Sequence, residues 1–272
     1  NVIMLKLRPK ISEQAAKKMI FSFVRHGDHS NRAKTDVLSD KQIEQWFSQN
    51  DYPFKKLCSS ARNWDSVVIP FVENLMHSMF HTSDGDAQII GPSGNVQAEI
   101  KGGGVLVGSD YQEKFRAAIK HKKQVILTQD IEEFYSCLTK AFSSIESFFT
   151  EKASIHNSTS AKQLVDSKEN PASLESKFKE WVPVLSKGKH LDLGKKSWVL
   201  FKKHQDIRHN NAIHPKNASQ GLSYEEFAVL LNEFRDGVAR IYYELHVLLG
   251  ENIKRPLIRE LYSPDVYVDK NI

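Results

Sequence analysis

The 272-residue chain is poor in cysteine: Cys58 and Cys137 are too few for a disulfide framework or an all-thiolate zinc site, and neither lies in a C-x-x-C pair. Both read as small buried apolar groups. Long apolar runs are also missing. No stretch approaches the roughly 18 apolar residues of a membrane span. The segment Asn1-Val2-Ile3-Met4-Leu5-Lys6 has no apolar block of signal-peptide length. Neither membrane insertion nor secretion is expected, which points to a cytoplasmic protein. Gly102-Gly103-Gly104 lack the lysine-serine pair of a phosphate-binding loop and the spacing of a dinucleotide fingerprint, and read instead as a hairpin connection. His77 and His81 stand four apart with no third ligand nearby, so neither a metal nor another cofactor is expected.

The chain has charge of both signs, 38 basic against 33 acidic residues, and the net +5 separates few classes of protein. Its distribution says more. Lys187, Lys189, Lys195, Lys196, Lys202, Lys203, Arg208 and Lys216 face only Asp192 and Asp206 in the same stretch, a local +6 that also holds His190, His204, His209 and His214. Such a concentration favours a polyanion such as RNA or DNA, with salt-sensitive affinity. A solvated lysine-rich helix face would give the same count.

The texture of the sequence divides near residue 125, giving an α+β protein. Residues 1–125 read as a mixed α/β domain of unassigned role, 126–256 as an all-helical domain, and 257–272 as a tail. In the first part, β-branched runs between Gly85 and Gly108, broken by Pro92-Ser93-Gly94-Asn95 and the three glycines, predict a β-hairpin. Residues 18–24 fit either a strand or a helix end, 39–47 and 64–80 look helical, and Trp46, Phe47, Trp64 and Phe71 are candidate core.

In the second part, Asp130 with Glu133 marks a helix start, and Ile131, Phe134, Leu138, Phe142, Ile145 and Phe149 recur at helical steps over about five turns. Residues 157–171 are polar and read as a loop with a short helix. A helix over 172–185 should end or kink near Val182, ahead of Pro183. A third helix runs from Gly194 to about His209, with Trp198, Phe201 and Ile207 for the core. Ser223 and Glu226 form a capping box, and the stripe from Phe227 through Leu230, Leu231, Phe234, Val238, Ile241 and Leu245 to Leu248 ends at Gly250.

Chemistry concentrates in Arg208-His209-Asn210-Asn211-Ala212-Ile213-His214-Pro215. The proline disfavours helical geometry at His214, which therefore sits near the end of the helix that carries Arg208. A guanidinium can grip a phosphate through two parallel hydrogen bonds, and an imidazole can move a proton near neutral pH. Together they could stabilise a pentacovalent phosphate without metal.

Arg208 and His214 match the R-x(4–6)-H motif of HEPN domains. The long first helix containing Ala141-Phe-Ser-Ser-Ile-Glu-Ser147, Trp181 on a middle helix, the proline after the motif and the capped final helix also resemble that family's four-helix layout, over roughly residues 128–250. The resemblance implies a HEPN-like four-helix bundle and metal-independent endoribonuclease activity in a toxin or antiviral-defence setting, in which the 2′-hydroxyl attacks phosphorus and leaves a 2′,3′-cyclic phosphate. It implies Arg208 as phosphate holder, His214 as general acid or base, and His209 or Asn210 as the group that orients the phosphate or polarises the hydroxyl. Lys195, Lys196, Lys202, Lys203 and Asn211 would bind RNA. It also implies a homodimer with a composite active site and, in such settings, a regulatory protein partner.

Two other readings compete. Some HEPN domains are non-catalytic interaction modules, in which Asp206 or Asp192 would pair with Arg208 and His214 would serve as a cap. Separately, Arg25-His26-Gly27 resembles the signature of histidine phosphatases, with Ser59-Ser60-Ala61-Arg62 and the 197–204 segment ending in His204 recruited as later features. Gln205, where that family has glycine, and the lack of alternating strands and helices weaken this match.

Overall fold

An apolar residue every third or fourth position must be covered by neighbouring elements, and that demand organises the molecule. The computed structural model describes residues 2–28, 35–49, 87–90, 96–101, 104–105, 110–165, 172–213 and 222–271. In chain order these form strand β1 (Val2–Leu7), helices α1 (Glu13–His26) and α2 (Asp40–Gln49), and strands β2 (Ala87–Ile90), β3 (Val96–Lys101) and β4 (Gly104–Val105). Helices α3 (Asp110–Thr128) and α4 (Ile131–Thr159) follow. Next come α5 (174–185), α6 (Lys196–Ile207, continued by a wider π turn over Arg208–Ile213), α7 (224–249), α8 (Arg255–Leu261) and strand β5 (Val266–Asn271). The described residues are mostly helical with small antiparallel sheets, an α+β arrangement.

The expected hairpin is present as the antiparallel order β2-β3-β4, with a register shift at Ile89/Ile90. Residues 18–24 belong to helix α1, whose N-cap Ser12 accepts from Ala15 N. Ser39 and Gln42 cap α2 reciprocally. The helix expected over 64–80, with Trp64, Phe71, His77 and His81, lies outside the described residues, as does Cys58.

Helices α3 and α4 form the longest pairing. They are joined by Gln129, at φ 55°, and Asp130, whose carboxylate accepts from Glu132 N at 2.9 Å. Glu133 does not complete a capping box but turns to His121, 2.6 Å away on α3. The division expected near residue 125 falls inside α3. One buried cluster spans the described chain from Leu5 to Val266.

On α4, Phe134, Leu138, Phe142, Ile145 and Phe149 are all fully buried. Phe142 and Phe149 meet an aromatic box made by Phe178 and Trp181 of α5 and Trp198 and Phe201 of α6. The Phe142–Phe201 and Phe149–Phe178 ring centroids are both 5.1 Å apart, and Trp198 stacks on Phe201 at 5.2 Å. Each ring removed from water contributes on the order of 1.5–3 kcal/mol, with about 0.5–1.5 more for a well-placed aromatic pair.

Pro183 does not end α5. The helix widens into a π turn over Lys177–Trp181, then continues as Val182–Leu185, with Val182 N donating to Lys177 O. Shifting the register one residue ahead of the proline relieves the clash its ring would make with a carbonyl four residues back. Helix α7 begins with the expected Ser223/Glu226 capping box and ends at Gly250, φ 71°. It too contains a π turn, Arg235–Ala239, which lies against α6. A Cβ on Gly237 would come within 2.7 Å of Leu200 Cβ and 2.8 Å of Phe201 N, so only glycine allows this approach.

The C-terminal residues correct the expectation of a tail over 257–272. Helix α8 packs on α1, and β5 pairs antiparallel with β1 from Val2↔Asn271 to Leu7↔Val266. Asn232 of α7 holds both backbone groups of Val266, donating to its carbonyl at 2.9 Å and accepting from its N–H at 2.8 Å. A buried ion pair between Lys122 of α3 and Glu260 of α8 fixes the same end.

Candidate functional site

Helix α6 turns Phe201, His204 and Arg208 inward, three or four residues apart, and leaves Lys196, Val199, Lys203 and Asp206 outside. Arg208 is the first residue of the π turn. Its Nη1 donates to Glu146 Oε1 of α4 at 2.9 Å, and the guanidinium lies 5.5 Å from the Phe142 ring centre. The arginine side chain is 15% exposed and the glutamate 42%, so the carboxylate stands on the solvent side of the cation. Arg208 Nε is buried without a hydrogen-bond partner. Neither Asp192 nor Asp206 pairs with Arg208. The acid comes from 62 residues earlier, inside the Ala141–Ser147 segment that suggested a first helix.

His209 and Asn210, next along the turn, are exposed. The backbone of Asn211 is helical, and His214 and Lys216 lie outside the described residues. Arg208, His209 and Asn210 are thus together at one end of α6.

Of the lysines expected to bind RNA, Lys195, Lys202 and Lys203 are compensated from other helices. Lys202 reaches Glu175 of α5 at 3.1 Å and Gln205 at 2.8 Å, Lys203 meets Glu233 of α7 at 2.6 Å, and Lys195 meets Glu244 of α7 at 3.6 Å. Hydrogen bonds from Lys179 and then Lys202 hold the Glu175 carboxyl below its ordinary range. Lys196 is exposed. Among the seven described cations of the +6 stretch, Lys195, Lys202, Lys203 and Arg208 are paired, each with an acid that a local count omits. Between α6 and α7 an open cleft of about 420 Å³ is lined by Ile207, Leu222, Val229 and Leu230 with Lys203, Glu225 and Glu226. Its apolar lining and two carboxylates make it a poor seat for a polyanion.

His204 is fully buried. Its Nδ1 lies 2.8 Å from Leu200 O and its Nε2 3.1 Å from Leu230 O, with the Phe134 and Phe234 rings alongside. Desolvation pushes its pKa below 6.5, opposed by the two carbonyls. A neutral imidazole has one N–H and satisfies one of them. This residue ties α6 to α7 and is closed to substrate.

Arg25 and His26 occupy the last turn of a helix and do not follow a strand. Arg25 Nε donates to Leu38 O at 2.6 Å, and its Nη2 pairs with Asp40. The His26 carbonyl accepts from Ile253 N at 2.8 Å, and its ring meets Tyr243 edge-on. The 197–204 segment recruited for the phosphatase reading is helical and ends in the buried His204, while the 59–62 segment lies outside the described residues. Among the described residues no three His, Cys, Asp or Glu side chains gather as a metal site, and no helix is long and apolar enough to cross a membrane.

Sequence reasoning missed Glu146 and Phe142 as partners of Arg208, because neither is near it in the chain. The one available signal was Glu146, an acid on the helix whose Phe142, Ile145 and Phe149 were already assigned to the core. Compared with protein-family models, with curated proteins and with solved structures, the chain matches none.

Proposed function

We propose that the chain is a HEPN-type endoribonuclease that works without a metal and acts as a dimer in a toxin or antiviral-defence setting. The observation that carries this reading is Arg208 fixed at the foot of a π turn, with His209 and Asn210 exposed directly after it. π turns recur at functional sites. The four helices α4 to α7, with the motif between the third and fourth, support the bundle this reading requires.

Arg208 binds the scissile phosphate and offsets the charge that grows on it. One imidazole takes the 2′-hydroxyl proton as that oxygen attacks phosphorus, and the departing 5′ oxygen gains a proton from the opposite side of the site. His214 supplies one of these transfers, and His209 or Asn210 orients the phosphate. The exposed Lys196 attracts RNA, and a regulatory protein partner would act on this assembly in the cytoplasm.

Incubating purified protein with RNA in EDTA tests the reading. Arg208→Ala and His214→Ala should each lower cleavage by about 10²–10⁴-fold. A mixture of the two inactive variants should regain activity if one site draws on both protomers. Cleavage that survives both substitutions, or no cleavage of any RNA, sinks the proposal. A second reading, a non-catalytic HEPN-type interaction module, is favoured by the ion pairs of Arg208, Lys195, Lys202 and Lys203, since compensated charge suits a structural bundle.

A further inference from the structure

Arg208 presents an unequal set of hydrogen-bond donors. A guanidinium grips phosphate through two parallel N–H groups, along the Nη1/Nη2 end or the Nε/Nη2 edge. Here Nε is buried and Nη1 is held by Glu146, so neither edge is fully open. The glutamate contributes a single oxygen to this contact, 2.9 Å away, and is the more exposed partner. A phosphate approaching Arg208 from solvent therefore meets a carboxylate of its own sign.

From this geometry we infer that Glu146 sets the phosphate affinity of the Arg208 site: it is a resting clasp whose carboxylate occupies an RNA phosphate's place and must be displaced for binding. The inference rests on the ribonuclease reading for the identity of the ligand. The exchange is favourable because the cation trades one carboxylate oxygen for two phosphate oxygens. Meanwhile the half-exposed glutamate recovers its hydration at little cost, as expected of an ion pair near the surface. The Phe142 ring beneath the guanidinium keeps it in place while its partner changes.

The experiment compares the full-length protein with Glu146→Gln, a variant of the same shape that still accepts from Nη1 but carries no charge. The probe is a short fluorescent 2′-O-methyl RNA, which binds but cannot be cut by 2′-hydroxyl attack. The variant should bind about 3–5-fold more tightly at low salt. The slope of log Kd against log salt should steepen by up to about 0.7, the effect of one opposing charge removed from the site on a single strand. Both changes should vanish when Arg208→Ala is added. Unchanged or weaker binding, or a gain that persists without Arg208, overturns the clasp; a purely structural glutamate would lower the melting temperature and leave the salt slope alone. Cleavage of unmodified RNA separates the two proposals. No cleavage together with the tighter, steeper binding refutes the nuclease and keeps the clasp, and cleavage without that change does the reverse.

Discussion

The dipeptide Arg-His occurs at the ends of two helices, as Arg25-His26 on α1 and Arg208-His209 on α6, and the two are put to different use. At α1 the guanidinium is shared between a carbonyl and a carboxylate, the next peptide is bridged to Ile253, and Gly27 closes the helix through Phe23 O. At α6 the guanidinium has one carboxylate oxygen and a buried Nε with no partner, and the helix continues past it in a wider register. A residue pair at a helix end thus says little until its partners are known. The satisfied arginine is a fastening, and the under-satisfied one retains capacity for a ligand.

The sharpest way to break the comparison is to keep the charge and remove the planar fork. Arg208→Lys should lose about 100-fold or more in RNA cleavage with little change in melting temperature, because an ammonium cannot form the bidentate grip. Arg25→Lys should retain full cleavage and lose about 1 kcal/mol of stability on urea denaturation. If both lysine variants cut RNA equally well, the two helix ends do not differ as argued.

A smaller effect is expected where α6 is seated. Gly237→Ala should cost about 1–3 kcal/mol, since its methyl group must displace Leu200 and Phe201 backbone atoms. Cleavage should fall as well, because Arg208 lies two turns along the same helix. A fully stable Gly237→Ala would show that α6 can back away from α7 freely, leaving the Arg208 end less fixed than that of Arg25.

The smallest effect belongs to His204, one turn before Arg208. Its folded pKa is depressed, so the unfolded chain takes up its proton more readily. Its contribution to stability is present above pH 6.5 and is lost as pH falls through the lower folded value. One proton limits this slope to about 1.4 kcal/mol per pH unit. Urea midpoints at pH 7.5 and 5.5 should therefore converge in His204→Gln relative to the wild type. If the pH dependence is unchanged by this substitution, the buried imidazole is not the group that titrates.

Where structure follows from neighbours a turn away, it was legible in the residues. The α4 stripe, the Ser223/Glu226 box and the Gly250 stop all depend on spacings of three or four. For Pro183 the residues left an end or a kink open, and the structure shows a π turn just before it with the helix running on to Leu185. What depends on distant partners was not legible. Strand β5 reads as a tail until β1, more than 250 residues earlier, lies beside it. Likewise, the basic stretch looked like an open field only because Glu146, Glu175, Glu233 and Glu244 come from other helices. Of the candidate site, Arg208, His209 and Asn210 share one described turn, His214 lies outside the described residues, and the acid paired with the arginine was not legible.

The pairing of β1 with β5 has a mechanical consequence. Because Val2 faces Asn271, a load applied between these residues pulls on one end of an antiparallel pair and peels it rung by rung toward Leu7 and Val266. Each backbone bond then bears the tension alone, whereas in shear all would share it. Under such a pull the sheet should part first, and the Asn232 clamp on Val266 marks where the peeling meets helix α7.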